Sequence, residues 1–255
     1  MANILSVQNL SVGYKEKKVA SRINFELLEG ELVAIVGING IGKSTLLKTL
    51  ARLQPPLNGQ ITIRGQKLET ISIQEMAKVL ALVLTEPLAT KNLTVQELIA
   101  LGRQPHTNWL SVLRKQDFVK IHEGISQLNI EEIQTKKCFE LSDGQLQRVL
   151  IARAVVQETP LIFLDEPTTH LDLAHKVQIL KLLQELAHDH KRTIVFSTHE
   201  IDLAIQLCDK MLILDGKNNP FGQPCKLIEE GVFSNLFSSE MIEFDAETGS
   251  FRVKK

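Results

Sequence analysis

The chain has 255 residues, 44% of them apolar and 23% charged, which is ordinary for a globular protein with one large core or two modest lobes. Its 29 Lys and Arg against 30 Asp and Glu leave a net charge of −1, which excludes the overall basic field of a general binder of nucleic acid or acidic membranes. Three scattered cysteines, Cys138, Cys208 and Cys225, lack metal-ligand spacing and suit a reducing compartment. The N-terminal residues show no basic stretch followed by a long apolar one, so no signal peptide is expected. The apolar runs fall well short of the ~20 residues that a membrane-spanning helix needs, so a membrane role would require another chain to supply the spans.

In chain order, the first third reads β-rich. Residues 4–7, 23–27, 32–36 and 61–63 are expected strands, punctuated by Gly13, Gly30, Asn58-Gly59 and Gly65. The Lys15-Glu16-Lys17-Lys18 run reads as a solvated turn between strands. A helix is expected over 72–78, opened by the capping-box spacing Ser72-x-x-Glu75, and a buried strand over 79–84. From about residue 85 to 138 the pattern turns helical. Thr94-Val95-Gln96-Glu97 is a second capping box, and Gly102 is expected to end that helix at its C-cap. Residues 105–111 form a loop with the only tryptophan, Trp109, which reads equally as a core side chain or a partner contact. Phe118, Ile121, Ile125 and Leu128 then recur at helical spacing. Strands are expected over 161–164, 193–196 and 211–214, with a helix over 173–188 whose Val177, Leu180, Leu183 and Ala187 share a face. Residues 242–245 and 250–253 read as a hairpin. Strands alternating with helices imply a mostly parallel sheet covered on both faces.

Three segments carry chemistry. Gly37-Ile38-Asn39-Gly40-Ile41-Gly42-Lys43-Ser44-Thr45 fits G-x-x-x-x-G-K-[ST], and it lies between an apolar strand and a helix as this motif requires. Its glycines let backbone N–H groups wrap an oligophosphate, and the helix start adds unpaired donors. Lys43 would reach the β- and γ-phosphates, and the Ser44 hydroxyl would hold magnesium. Leu161-Ile162-Phe163-Leu164 ends in Asp165 and Glu166, acids at a strand end where open α/β sheets bind ligands. Asp165 would serve the magnesium shell and Glu166 would polarise the attacking water. Leu141-Ser142-Asp143-Gly144-Gln145 contains a capping box, and the same helix start offers bare N–H groups to a phosphate.

In this order the segments resemble an ATP-binding cassette (ABC) ATPase over nearly the whole chain. The resemblance implies an α/β fold. A phosphate-loop core with a mostly parallel sheet would carry an N-terminal antiparallel β subdomain and an inserted helical subdomain. The core lobe would span about 1–84 and 149–255, and the helical signature lobe about 85–148. It implies that Tyr14 stacks on adenine and that residues 37–45, including Asn39, Gly40, Ile41, Gly42 and Thr45, cradle the phosphates. It further implies that Leu141–Gln145 is the family signature, that Asp172 lies in a loop crossing a dimer interface, and that His199 is the switch histidine. The cofactors implied are ATP and Mg2+. The stretch Leu93-Thr94-Val95-Gln96-Glu97-Leu98-Ile99-Ala100-Leu101-Gly102-Arg103 is similar to the subfamily that energises bacterial import of iron-siderophores, haem and cobalamin.

Two positions depart from the family pattern. Thr85, followed by Glu86, stands where a glutamine usually joins the lobes, which leaves open which of the two serves there. Asp143 replaces a glycine in the signature, and its carboxylate is expected to point away from the phosphates. The resemblance implies a two-fold pair of copies, each ATP lying between Lys43 of one chain and Ser142 and Gly144 of the other. The leading expectation is an importer ATPase on the cytoplasmic face of a bacterial inner membrane. Its partners would be a second copy, integral permease subunits and, indirectly, a solute-binding protein, with no nucleic acid. An exporter ATPase, or a soluble cassette ATPase acting on nucleic acid or ribosomes, are the alternatives.

Overall fold

The computed structural model describes residues 2–15, 17–86, 88–236, 242–246 and 248–253. Two long strands, β1 (Asn3–Tyr14) and β2 (Lys17–Leu28), precede β3 (Leu32–Gly37) and helix α1 (Lys43–Leu50). Next come β4 (Asn58–Ile63), β5 (Gln66–Lys67), α2 (Ile73–Val79) and β6 (Leu80–Val83). The helical stretch holds α3 (Val95–Ala100), α4 (Lys115–Gln127) and α5 (Asp143–Val155). Alternation follows with β7 (Leu161–Leu164), α6 (Leu173–His188), β8 (Thr193–Thr198), α7 (Ile201–Leu207), β9 (Lys210–Leu214), β10 (Phe221–Gly222) and α8 (Pro224–Glu229). A hairpin of β11 (Ile242–Asp245) and β12 (Ser250–Val253) comes last.

β1, β2, β4 and β5 form an antiparallel sheet in the order β2-β1-β4-β5. The central sheet runs β10-β9-β3-β8-β7-β6, parallel throughout except for the β10 edge. Its strands are nearly all apolar because both faces are covered. Alternate residues of β3 show this: Leu32, Ala34 and Val36 join a core with α3, α4, α5 and α6, whereas Val33 and Ile35 pack with α1 and the antiparallel sheet. Each fully buried Leu or Ile contributes about 1.5–3 kcal/mol, so the strands form a stiff frame whose C-terminal ends hold the site.

All three expected capping boxes form. The Ser72, Thr94 and Ser142 hydroxyls accept from the backbone N–H three residues on, and Glu75, Glu97 and Gln145 reach back. The expected Gly102 cap does not form. The chain continues past α3 into a 3₁₀ turn, Leu101–His106, with Gly102 inside it. A Cβ on Gly102 would lie 2.2 Å from the Arg153 carbonyl oxygen, so glycine is there to let this turn press against α5. Phe118 is the other correction. It is 45% exposed on α4, while Ile121, Ile125 and Leu128 face the core as expected. The buried stripe of α4 runs through Asp117, Ile121, Gly124 and Ile125, which leaves Phe118 at its edge.

Arg103 is a buried cation. It donates to Asp117 Oδ1 at 3.0 Å, to the Val156 carbonyl at 2.6 Å and to Glu158 Oε2 at 2.7 Å, tying α4 to the end of α5. Burial favours the neutral form of Asp117, but hydrogen bonds from the Arg114 N–H and from Arg103 outweigh it and hold the carboxyl below its ordinary pKa. A depressed folded-state pKa gives stability that is present above the unfolded value of about 4 and lost as pH falls through the folded one. Asp117→Asn is therefore expected to lose about 1.5–3 kcal/mol at pH 7, because it takes the charge from a buried hydrogen-bonded pair while Glu158 still neutralises the guanidinium. Urea unfolding of both proteins should show that gap narrowing as pH drops below 4.

Candidate active site

Three neighbouring parallel strands end side by side: β3 at Gly37, β7 just before Asp165 and β8 just before His199. Strand order alone therefore brings the phosphate loop, the acid pair and the histidine to one edge, where open α/β sheets bind ligands. The loop between β3 and α1 turns through Gly42, at φ 111°, where a Cβ would also lie 2.6 Å from Val19 Cγ1. Only glycine fits both constraints. α1 carries no acid in its first turn, so its N–H groups face no competing negative charge from their own helix.

The side chains form two linked sets. In the first, Lys43 Nζ donates to the Gly37 carbonyl at 3.0 Å and the Ile38 carbonyl at 3.4 Å, and it contacts His199 Nδ1 at 3.4 Å. Burial lowers the Lys43 pKa, and the charges of Glu166 and Asp165 oppose that shift. An ammonium only donates, so His199 Nδ1 accepts and Nε2 carries the proton. Nε2 then donates to Glu166 Oε1 at 2.7 Å, and Thr169 Oγ1 donates to Glu166 Oε2 at 3.1 Å. Both oxygens of Glu166 are thereby oriented.

The second set centres on Asp165. Its Oδ1 accepts from Ser44 Oγ at 3.0 Å and Ser197 Oγ at 2.6 Å, and its Oδ2 accepts from Thr85 Oγ1 at 3.2 Å. Every donor here is a hard oxygen, the chemistry that magnesium selects. Cis ligands of an octahedral magnesium lie about 2.9 Å apart, so the Ser44–Asp165 spacing fits that ion. Of the two junction residues, Thr85 touches Asp165. Glu86 is exposed and paired with Lys48 at 2.9 Å.

A cavity of about 350 Å³ opens beside these groups, lined by Asn39, Glu166, Thr168, Thr169, His170, Lys176, Thr198, His199 and Glu200. Tyr14 is 57% exposed, and its hydroxyl accepts from Thr45 Oγ1 at 3.4 Å. Gly40 has open space around its Cα, and the Ile41 N–H closes a turn onto the Ile38 carbonyl at 3.3 Å.

Among the described residues, none of 141–145 lines the cavity. Ser142 and Asp143 are exposed at the start of α5, and Leu141 packs at the edge of the core. Gly144 lies against His175, where a Cβ would be 3.4 Å from the ring. His175 in turn meets Asp172, through its N–H at 2.9 Å and Nδ1 at 2.8 Å. The signature residues and Asp172 thus share one surface. Motif reading missed Thr169 and Ser197, because each acts through a contact that only the fold creates.

A family model described as ABC transporter matches residues 20–169. The chain belongs to the ABC transporter family. As an ABC ATP-binding chain it is an ATPase. It is 37% identical over 252 residues to an uncharacterised ABC transporter ATP-binding protein of Methanocaldococcus jannaschii, covering 98% of this chain and 87% of that one. It is 34% identical over 235 residues to an achromobactin transport ATP-binding protein of Dickeya dadantii, covering 92% and 87%. Among solved structures, one described as an inward-facing conformation of a metal-chelate type ABC transporter superposes with a TM-score of 0.81 at 31% identity, covering 92% of this chain and 89% of that one.

Proposed function

We propose that this chain is the ATP-hydrolysing subunit of a bacterial importer for a chelated metal such as an iron-siderophore. Lys43, Ser44, Asp165, Glu166 and His199 gathered at one sheet edge carry the catalytic part of this reading. The achromobactin and metal-chelate relatives support the importer part.

Tyr14 offers its exposed ring to adenine, and residues 37–45 wrap the phosphates with Lys43 on the β- and γ-groups. Ser44 and Asp165 would hold a magnesium ion, which neutralises phosphate charge when bound, and Thr85 steadies Asp165. Glu166 takes a proton from water as the water oxygen bonds to the γ-phosphorus. The bond from that phosphorus to the β–γ bridging oxygen breaks, and ADP and phosphate leave. His199 holds Glu166 through Nε2 and the lysine side of the site through Nδ1. Positioning and charge neutralisation carry such phosphoryl transfer.

The signature completes the site in trans. Ser142 and Gly144 of one copy face the γ-phosphate held by the other, Asp143 turns to solvent, and Asp172 joins the contact across the pair. Residues 85–148 act as a helical lobe against the core lobe. Its exposed Trp109, Leu110 and Val112 offer a permease helix an apolar landing. Among the described residues no helix is long and apolar enough to cross a membrane, so the chain would sit at the cytoplasmic face of the inner membrane through that permease.

Light scattering tests the pairing. Glu166→Gln with MgATP is expected to double in mass, and with MgADP to remain at the monomer mass. A mass that ignores the nucleotide would remove the trans arrangement.

A further inference from the structure

We propose that Ser197 is a positioning residue for hydrolysis, acting through the backbone of Glu166, a proposal that rests on Glu166 being the general base. Ser197 is fully buried on β8, two residues before His199. Its hydroxyl donates to Asp165 Oδ1 at 2.6 Å and accepts from the Glu166 N–H at 2.9 Å. A hydroxyl has one proton, and Ser197 gives it to the carboxylate. A lone pair is then left facing the N–H of the next residue. One side chain thus locks two consecutive acids from inside the sheet, while its burial keeps it away from any reacting atom.

The lock matters because of the backbone it holds. Glu166 sits at φ 49°, in the left-handed region that residues with a Cβ avoid. Such a conformation persists only where its surroundings over-determine it. Here the Thr169 N–H meets the Glu166 carbonyl at 3.2 Å, and His199 and Thr169 hold the carboxylate. Those contacts secure the outer parts of the residue. Ser197 secures its N–H, the atom joining the strained turn to the rigid end of β7. Without the hydroxyl that N–H loses its partner, φ is free to relax, and the carboxylate swings away from its line to the water. Misplacing a catalytic group by about 1 Å can cost roughly 10²-fold in rate.

The test is steady-state hydrolysis by the full-length chain, at concentrations that populate the dimer, with active sites counted by bound nucleotide. Ser197→Ala is expected to lower kcat about 10- to 100-fold while KM and the Kd of a non-hydrolysable ATP analogue move less than about threefold. Ser197→Thr restores the hydroxyl and should recover kcat to within about threefold. In a Glu166→Gln background, Ser197→Ala should cost less than about threefold, because the group it positions is already gone. Should Ser197→Ala not fold, Ser197→Cys keeps the volume with a poor acceptor, and the same kcat loss is expected. A purely structural role would reduce folded protein yet leave kcat per site unchanged, which overturns the proposal, as does equal loss in both backgrounds. If Glu166→Gln hydrolyses normally, the base assignment itself falls. If Glu166→Gln is slow but Ser197→Ala is normal, only the Ser197 proposal falls.

Discussion

Glu166→Gln is expected to bind ATP as the parent chain does and to hydrolyse it about 10²–10⁴-fold more slowly, the range for loss of a general base. The amide is nearly isosteric: its oxygen can still accept from His199, which meets Oε1 at 2.7 Å, and its NH2 can donate to the Thr169 hydroxyl, which meets Oε2 at 3.1 Å. Geometry is thereby kept and only basicity is removed. Among the described residues, the Glu166 carboxylate bonds to His199 and Thr169 and reaches the phosphate loop's Lys43 through His199, so the affinity for nucleotide should survive. Single-turnover hydrolysis beside equilibrium binding separates the two quantities. A wild-type rate in this variant would rule Glu166 out as the base.

Lys43→Ala should fail earlier, at binding. Lys43 is the cation inside the loop, and its ammonium is already stripped of much of its water, as its lowered pKa reflects. Charge-assisted bonds to phosphate replace that lost hydration well, and their removal costs about 3 kcal/mol, roughly 10²-fold in Kd. Titration calorimetry with MgATP should show that loss, with hydrolysis falling alongside at subsaturating ATP. A Kd unchanged in this variant would move the β- and γ-phosphates elsewhere on the chain.

Much of this was legible in the sequence, for specific reasons. The phosphate loop, the acid pair after β7 and the capping boxes are local, so residue spacing contains them. The strands of the central sheet are legible because burial on both faces makes them short apolar runs. Gly102 misled because a glycine after a helix serves two purposes that sequence cannot separate: a left-handed cap, or close approach to another backbone. Phe118 misled because helical spacing marks a stripe but not its edges. The choice between Thr85 and Glu86 required the register of β6 against β7, which places Thr85 on Asp165 and sends Glu86 out to Lys48. Ser197 lies two residues before the switch histidine, but its sequence neighbours do not show what its hydroxyl meets. It becomes visible only when β8 pairs with β7 and sets its hydroxyl beneath the two acids.

An ATPase that powers an importer through a separate permease should be found with that permease in its own membranes. Tagged Glu166→Gln, which should stall the ATP-bound pair, would be purified in mild detergent from native membranes and its companions identified. A multi-span permease is expected, accompanied by a solute-binding protein that takes metal chelates. Recovery solely in the soluble fraction, with ribosomes or nucleic-acid proteins, would contradict the transport reading.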